Sequence, residues 1–220
     1  MFDSLIIGGG AAGCVLAGRL SEDPAKNVAL LEAGPSHHSA LLQCPSGVVL
    51  LARTGQAQWR LATVPQPGLN RRCGYQPRGR VLGGSSAINA MVDTRGQPSD
   101  FDFWAAQGNP GWGYAEVLPY FKKAEHNSRG ADAWHGADGP LHVADLQQPH
   151  PASQVFVQAA VQAGLVANAD FNGATQEGVG LYQVMQKKRR ALQRGQGLPD
   201  AAPWGGPTCT SSPRPTPPAS

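Results

Sequence analysis

The sequence has no CxxC pair, no HxxxH or HExxH pair, no GxSxG elbow and only one GxGxxG run. Its four cysteines, Cys14, Cys44, Cys73 and Cys209, are dispersed, which excludes both a zinc site of ordinary spacing and a disulfide scaffold. The six histidines show no metal-ligand spacing and are expected on the surface or in simple hydrogen bonds. No apolar run is long enough to span a bilayer. The uncharged stretch from Ser4 to Gly18 follows Asp3 instead of a basic region, so it reads neither as a secretory leader nor as a transmembrane helix. Basic charge is also missing where a nucleic-acid binder would need it. The net charge of +3 arises in residues 187–220, where Lys187, Lys188, Arg189, Arg190, Arg194 and Arg214 face only Asp200, and residues 1–186 carry −2.

What the chain does have is a strand–turn–helix–strand pattern at its start. Residues 2–7 (FDSLII) read as a buried strand, residues 11–21 as a helix of small residues, and residues 27–31 (NVALL) as a second buried strand. Both strands are apolar throughout, as in a parallel sheet covered on both faces. Between the first strand and the helix lies Gly8-Gly9-Gly10-Ala11-Ala12-Gly13, which satisfies GxGxxG. Gly8 permits the tight turn, Gly10 lets the backbone approach a pyrophosphate, and Gly13 lets helix and strand pack closely. Glu32 ends the second strand, where a carboxylate accepts hydrogen bonds from ribose hydroxyls and repels a 2′-phosphate, disfavouring NADP. The pattern predicts a dinucleotide site without separating FAD from NAD.

Prolines 35, 45, 65, 67 and 77 deny long helices to residues 35–80. Short helices are expected over 84–92, 113–124 and 153–163, the last capped by Ser153. Trp59, Trp104, Trp112 and Trp134 are expected as packing residues. Residues 187–220 hold seven prolines and no Val, Ile, Phe, Tyr or Met. That composition cannot build a core, so residues 188–220 are expected to form an aberrant, disordered tail. The abrupt break after Lys187 reads as a shifted reading frame, a matter for resequencing the gene.

The segments FDSLIIGGGAAGCVLAGRLSEDP, VALLEAGP, PRGRVLGGSSAINAMV, GNPGWGYAEVLPYFKKAE, HGADGPLHV and ADFNGATQEGVGLYQVMQK resemble the glucose–methanol–choline (GMC) family of FAD-dependent oxidoreductases. The likeness extends to its bacterial acceptor-linked alcohol dehydrogenases and choline dehydrogenases. The resemblance implies an α/β, Rossmann-like FAD-binding domain over residues 1–187, with a substrate domain beginning near 150–187. It places Gly8, Gly10, Ala11, Ala12 and Gly13 at the pyrophosphate, and Glu32 and Ala33 at the adenosine ribose. Val81, Gly84, Asn89, Ala90, Met91 and Val92 would lie along the flavin and its ribityl chain. The flavin is expected to be noncovalent, because the GGSSAIN segment lacks the histidine that anchors it in some members. Asp93 departs from the family pattern. The implied function is oxidation of the CH–OH group of an alcohol or choline-like donor, with hydride passing to flavin N5 and electrons to an unidentified acceptor. The base expected of the family belongs to a C-terminal region, so no catalytic residue is assigned here and this chain is not expected to turn over alcohols. A cytoplasmic protein, peripheral at the membrane, follows from the same likeness. Two other readings share residues 3–34: a non-catalytic nucleotide-binding module, and an NAD or flavin reductase with two dinucleotide domains.

Overall fold

The computed structural model describes residues 1–36, 39–187, 190–191 and 209–213. The expectations for His37, His38 and most of the tail, the shifted frame included, fall outside them. Packing divides the chain at Ala90, whereas the sequence reading has one FAD-binding region over residues 1–187 with a substrate domain beginning near 150–187. One unit comprises residues 1–90 with the strands after residue 189, and the other spans Met91–Arg189.

The first unit opens with β1 (Ser4–Ile7), α1 (Ala11–Leu20) and β2 (Val28–Glu32). The two strands run parallel, Ser4 opposite Val28 and Ile7 opposite Leu31. Helix α1 turns small residues, Gly13, Cys14 and Ala17, toward its buried side, which lets it lie close to the sheet. Val28, Ala29 and Leu30 are buried on β2. The expected cover on both faces is met on β2 but not on β1, where Leu5 is exposed and Ile7 is 82% exposed.

Two short helices follow, α2 (Ala40–Gln43) and α3 (Gly47–Thr54). A narrow antiparallel ribbon comes next, built on β3 (Leu61–Ala62) and β4 (Tyr75–Gln76). No helix exceeds eight residues here, as the prolines dictate. Leu42, Leu51, Val81 and Ala87 form the local core. The helix expected over 84–92 is only a 3₁₀ turn, Gly84–Ala87. Gly83 and Gly84 take left-handed backbone angles and Ile88 leaves the helical region, so no α-turn propagates.

The second unit contains α4 (Pro98–Ala106), α5 (Tyr114–Ala124), β5 (Glu125–Asn127), β6 (Leu141–Val143), α6 (Pro151–Gln162) and β7 (Gln186–Lys187). Helix α4 was legible but unread: Pro98 fixes its first turn and Asp100 Oδ2 accepts the Gln97 N–H at 2.8 Å. Helix α6 starts earlier than expected because His150, not Ser153, caps it, its Nδ1 accepting from the Ala152 N–H at 3.2 Å. The tryptophans are less buried than expected. Trp59, Trp104 and Trp112 are exposed, the last two meeting edge to face at 5.9 Å.

The tail corrects the sequence reading in part. Arg190–Ala191 (β8) and Cys209–Pro213 (β9) are strands, and β9 pairs parallel with β2, Val28 opposite Cys209 and Glu32 opposite Pro213. A ladder is made of backbone groups, so an open edge on β2 can accept a strand whose composition could not build a core.

Candidate cofactor site

The loop between β1 and α1 is shaped by two glycines. Gly8 has φ +100°, a turn that side-chain-bearing residues resist. At Gly13 a Cβ would lie 2.0 Å from the Gly8 carbonyl oxygen, so only glycine lets the helix start this close to the strand. Gly10 differs. It caps α1 in an extended conformation, and a Cβ there would meet nothing within 4 Å. The N–H groups of Gly10, Ala11 and Ala12 have no acceptor among the described residues, although Cys14 N–H already bonds Gly10 O at 2.9 Å. Free donors at a helix start beside open space form a cradle for an anion. A dinucleotide pyrophosphate therefore fits the residues present.

Glu32 is more constrained than the sequence implied. Its Oε2 accepts the Gly9 N–H at 2.8 Å and its Oε1 accepts the Gly34 N–H at 2.8 Å. Each carboxylate oxygen retains lone-pair capacity, so the clamp and a pair of ribose hydroxyls are compatible.

The segment 79–84 closes on this loop. Gly83 N–H donates to Gly9 O at 2.7 Å, Leu82 N–H to Pro35 O at 3.0 Å, and Arg80 Nε to Ala33 O at 3.2 Å. A Cβ on Gly84 would lie 2.8 Å from Gly10 Cα. The structure thus brings together two motifs that are some seventy residues apart in the sequence. Val81 differs from the expectation: it is fully buried in the core with Leu42, Leu51 and Ala87, and its carbonyl accepts the Gly84 N–H at 2.7 Å. Asn89 and Ala90 are exposed. Met91 and Val92 belong to the second unit. There Met91 is buried at φ +62°, its carbonyl accepting from Met185, and Val92 is exposed in a bridge with Val184. Asp93 Oδ2 accepts from Asn172 Nδ2 at 3.0 Å.

A model of the family described as GMC oxidoreductase matches residues 2–206. The chain belongs to the GMC oxidoreductase family. It is 50% identical over 188 residues to an alcohol dehydrogenase [acceptor] of Pseudomonas putida, covering 85% of this chain and 34% of that protein. It is 45% identical over 181 residues to an oxygen-dependent choline dehydrogenase of Sinorhizobium medicae, covering 82% and 33%. Among solved structures it superposes on an FAD-dependent oxidoreductase from Chaetomium thermophilum with TM-score 0.82 and 30% identity, covering 91% of this chain and 36% of that one. The chain spans about a third of the length of the curated relatives it matches.

In the second unit, a buried polar network escaped sequence reading. Glu125, 4% exposed at its side chain, takes hydrogen bonds from Arg95 Nη2 at 2.9 Å, Asn127 Nδ2 at 3.1 Å and the Gly136 N–H at 3.0 Å. His135 lies between two carboxylates, Nδ1 3.0 Å from Glu125 Oε1 and Nε2 2.9 Å from Asp170 Oδ2. The expectation of an exposed or simply bonded histidine is corrected, since this one is buried and bonded on both sides. The hydrogen bond to Glu125 raises its pKa to about 9; burial opposes the shift and Asp170 reinforces it. Burial acts to raise the Glu125 carboxyl, but the bond from His135, the Gly136 N–H and the Arg95 charge outweigh it and hold it low.

The stability consequence has a definite sign. His135 keeps its proton up to about pH 9 when folded, against 6.5 ordinarily, so its contribution is full below 6.5 and is lost as pH rises through 9. Glu125 contributes above its ordinary 4.5 and loses that contribution as pH falls. Urea denaturation is expected to show greatest stability between these values, with a decline on the order of 2 kcal/mol from pH 6.5 to 9.5. The decline should vanish in His135→Gln.

Proposed function

We propose that residues 1–90 hold noncovalent FAD for the oxidation of the CH–OH group of a small alcohol or choline-like substrate, with the electrons passed to a separate acceptor. The observation that carries this reading is the closure of the GRVLGG segment on the glycine loop through the Gly83 N–H and Gly9 O. Family membership supports the cofactor, and the acceptor-linked alcohol dehydrogenase relative supports the substrate class.

In this reading the N–H groups of Gly10, Ala11 and Ala12 meet the pyrophosphate at the helix start, while Gly8, whose own N–H is taken by Leu31 O at 2.8 Å, and Gly13 shape the loop around it. Glu32 orients the adenosine ribose, with Ala33 beside it. Gly84, Asn89 and Ala90 line the path toward the isoalloxazine, and Val81 supports that segment from the core beneath it. FAD supplies the two-electron chemistry, and the chain supplies position and charge complementarity. With one GxGxxG and no CxxC, the sequence gives no support to a two-dinucleotide reductase.

Among the described residues, no helix is long and apolar enough to cross a membrane. On the family likeness alone, we propose a cytoplasmic protein that is peripheral at the membrane.

The test is a titration of the purified chain with FAD and with NAD, read by flavin fluorescence quenching and visible absorption. Retention of FAD in near-equal amount with the protein is expected, and a preference for NAD would overturn the reading. Glu32→Ala should weaken FAD by about 1.5–3 kcal/mol for each charge-assisted hydrogen bond lost. An unchanged flavin content would remove Glu32 from the site.

A further inference from the structure

We propose that the antiparallel ribbon of residues 57–80, together with α3, is a docking surface for an anionic lipid bilayer. It deepens the peripheral-membrane reading above and rests on it. No Asp or Glu occurs between Glu32 and Asp93, and that stretch carries Arg53, Arg60, Arg71, Arg72, Arg78 and Arg80. The remainder of residues 1–186 has a net charge of −8. Charge is thus strongly segregated along the chain.

The fold keeps the arginines available. All six are exposed, and among the described residues none pairs with a carboxylate. Their hydrogen bonds go to backbone carbonyls: Arg60 to Thr54 and Gly55, Arg72 to Leu69, Arg78 to Pro77 and Arg80 to Ala33. A carbonyl orients a guanidinium without neutralising it. The ribbon is one continuous element, bridged at Gln58 with Gly79, at Leu61 with Gln76 and at Gln66 with Arg72. At its tip Arg71 and Arg72 stand beside aliphatic side chains that have no cover, Leu69 at 53% and Val64 at 73% exposure. Trp59 and Tyr75 are exposed further back.

This combination favours a lipid surface over other polyanions. Aliphatic tips offer a nucleic acid neither stacking nor base recognition. At a bilayer they bury into the headgroup–acyl boundary while arginines meet phosphates and aromatic rings settle at the interface.

The experiment is flotation of the 220-residue chain with phosphatidylcholine vesicles, with and without phosphatidylglycerol, at low and high salt. Binding is expected only with the anionic lipid and is expected to weaken with salt. Each arginine at such a surface contributes about fivefold, so R71E/R72E should lower binding by at least about 25-fold. V64S/L69S should weaken it while keeping the salt dependence. Circular dichroism of both variants should match the parent, because the altered positions are exposed. Neutralising Arg189, Arg190 and Arg194 is the control. If that control abolishes vesicle binding and R71E/R72E does not, the proposal falls. It also falls if the ribbon variants lose affinity for an oligonucleotide while vesicle binding is unchanged. FAD content, measured alongside, should be unaffected by the ribbon variants. Loss of flavin with vesicle binding intact would count against the cofactor reading alone.

Discussion

Gly10→Val is expected to fold like the parent chain and to lose FAD, whereas Gly13→Ala is expected to unfold the first unit. The two glycines lie in one loop and meet opposite surroundings. Gly10 has φ −73° and ψ −172°, angles a β-branched residue adopts readily, and open space lies where its Cβ would go. A valine there costs the apo chain little but occupies the place of the pyrophosphate. An affinity loss above tenfold, or more than about 1.4 kcal/mol, should follow. The Gly13 Cβ, by contrast, would lie 2.0 Å from a backbone oxygen that the β1–α1 turn holds in place. Overpacking of a fixed contact typically costs about 1–3 kcal/mol and a backbone clash this severe exceeds that range. Thermal denaturation and FAD titration of both variants separate the effects. Flavin retained by Gly10→Val would remove the pyrophosphate from this loop, and equal stability of the two variants would overturn the argument from the Gly13 contact.

The second large effect concerns Glu125. Glu125→Ala leaves Arg95 and His135 buried without their shared carboxylate, and breaking such a pair typically costs about 3–5 kcal/mol. Against a total stability of roughly 5–15 kcal/mol for a domain, that loss should be visible as a collapse of the second unit near physiological temperature. The comparison is Arg129→Ala. Its partner Asp145 sits 2.7 Å away, but both side chains are about half exposed, so the cost should stay near 0–1 kcal/mol. Urea midpoints of the two variants test the contrast. Comparable losses would mean that water reaches Glu125 and that its network carries little of the fold.

What could be read in the sequence follows from how local each signal is. The β1–α1–β2 unit is encoded in some thirty consecutive residues with distinct periodicities, and the structure reproduces its bounds nearly to the residue, with Gly8 in the expected tight turn and Gly13 in close packing. That Glu32 ends β2 was legible from spacing, but its double hold on Gly9 and Gly34 was not, because hydrogen-bond geometry leaves no pattern in a linear string. The polar network was invisible for the same reason. Arg95, Glu125, Asn127, His135, Asp170 and Gln183 share no periodicity, and only packing makes them neighbours. The α6 cap failed on competition: two candidates, His150 and Ser153, lay within one turn, and Pro151 favoured the earlier start. The ordered β9 was missed because composition reports on side chains, whereas strand pairing is a backbone property.

The clamp that Glu32 places on the Gly9 and Gly34 amides has a kinetic meaning. Both turns are held before any ligand arrives, so their ordering entropy is charged to folding and not to association. If this loop takes the pyrophosphate as proposed, cofactor uptake is expected to proceed without a closure step, at a rate set by encounter. The bound and free forms then differ little in amide exchange at these glycines. Removing the carboxylate converts a lock-and-key event into one that must organise two turns on arrival, and the association rate falls along with the affinity.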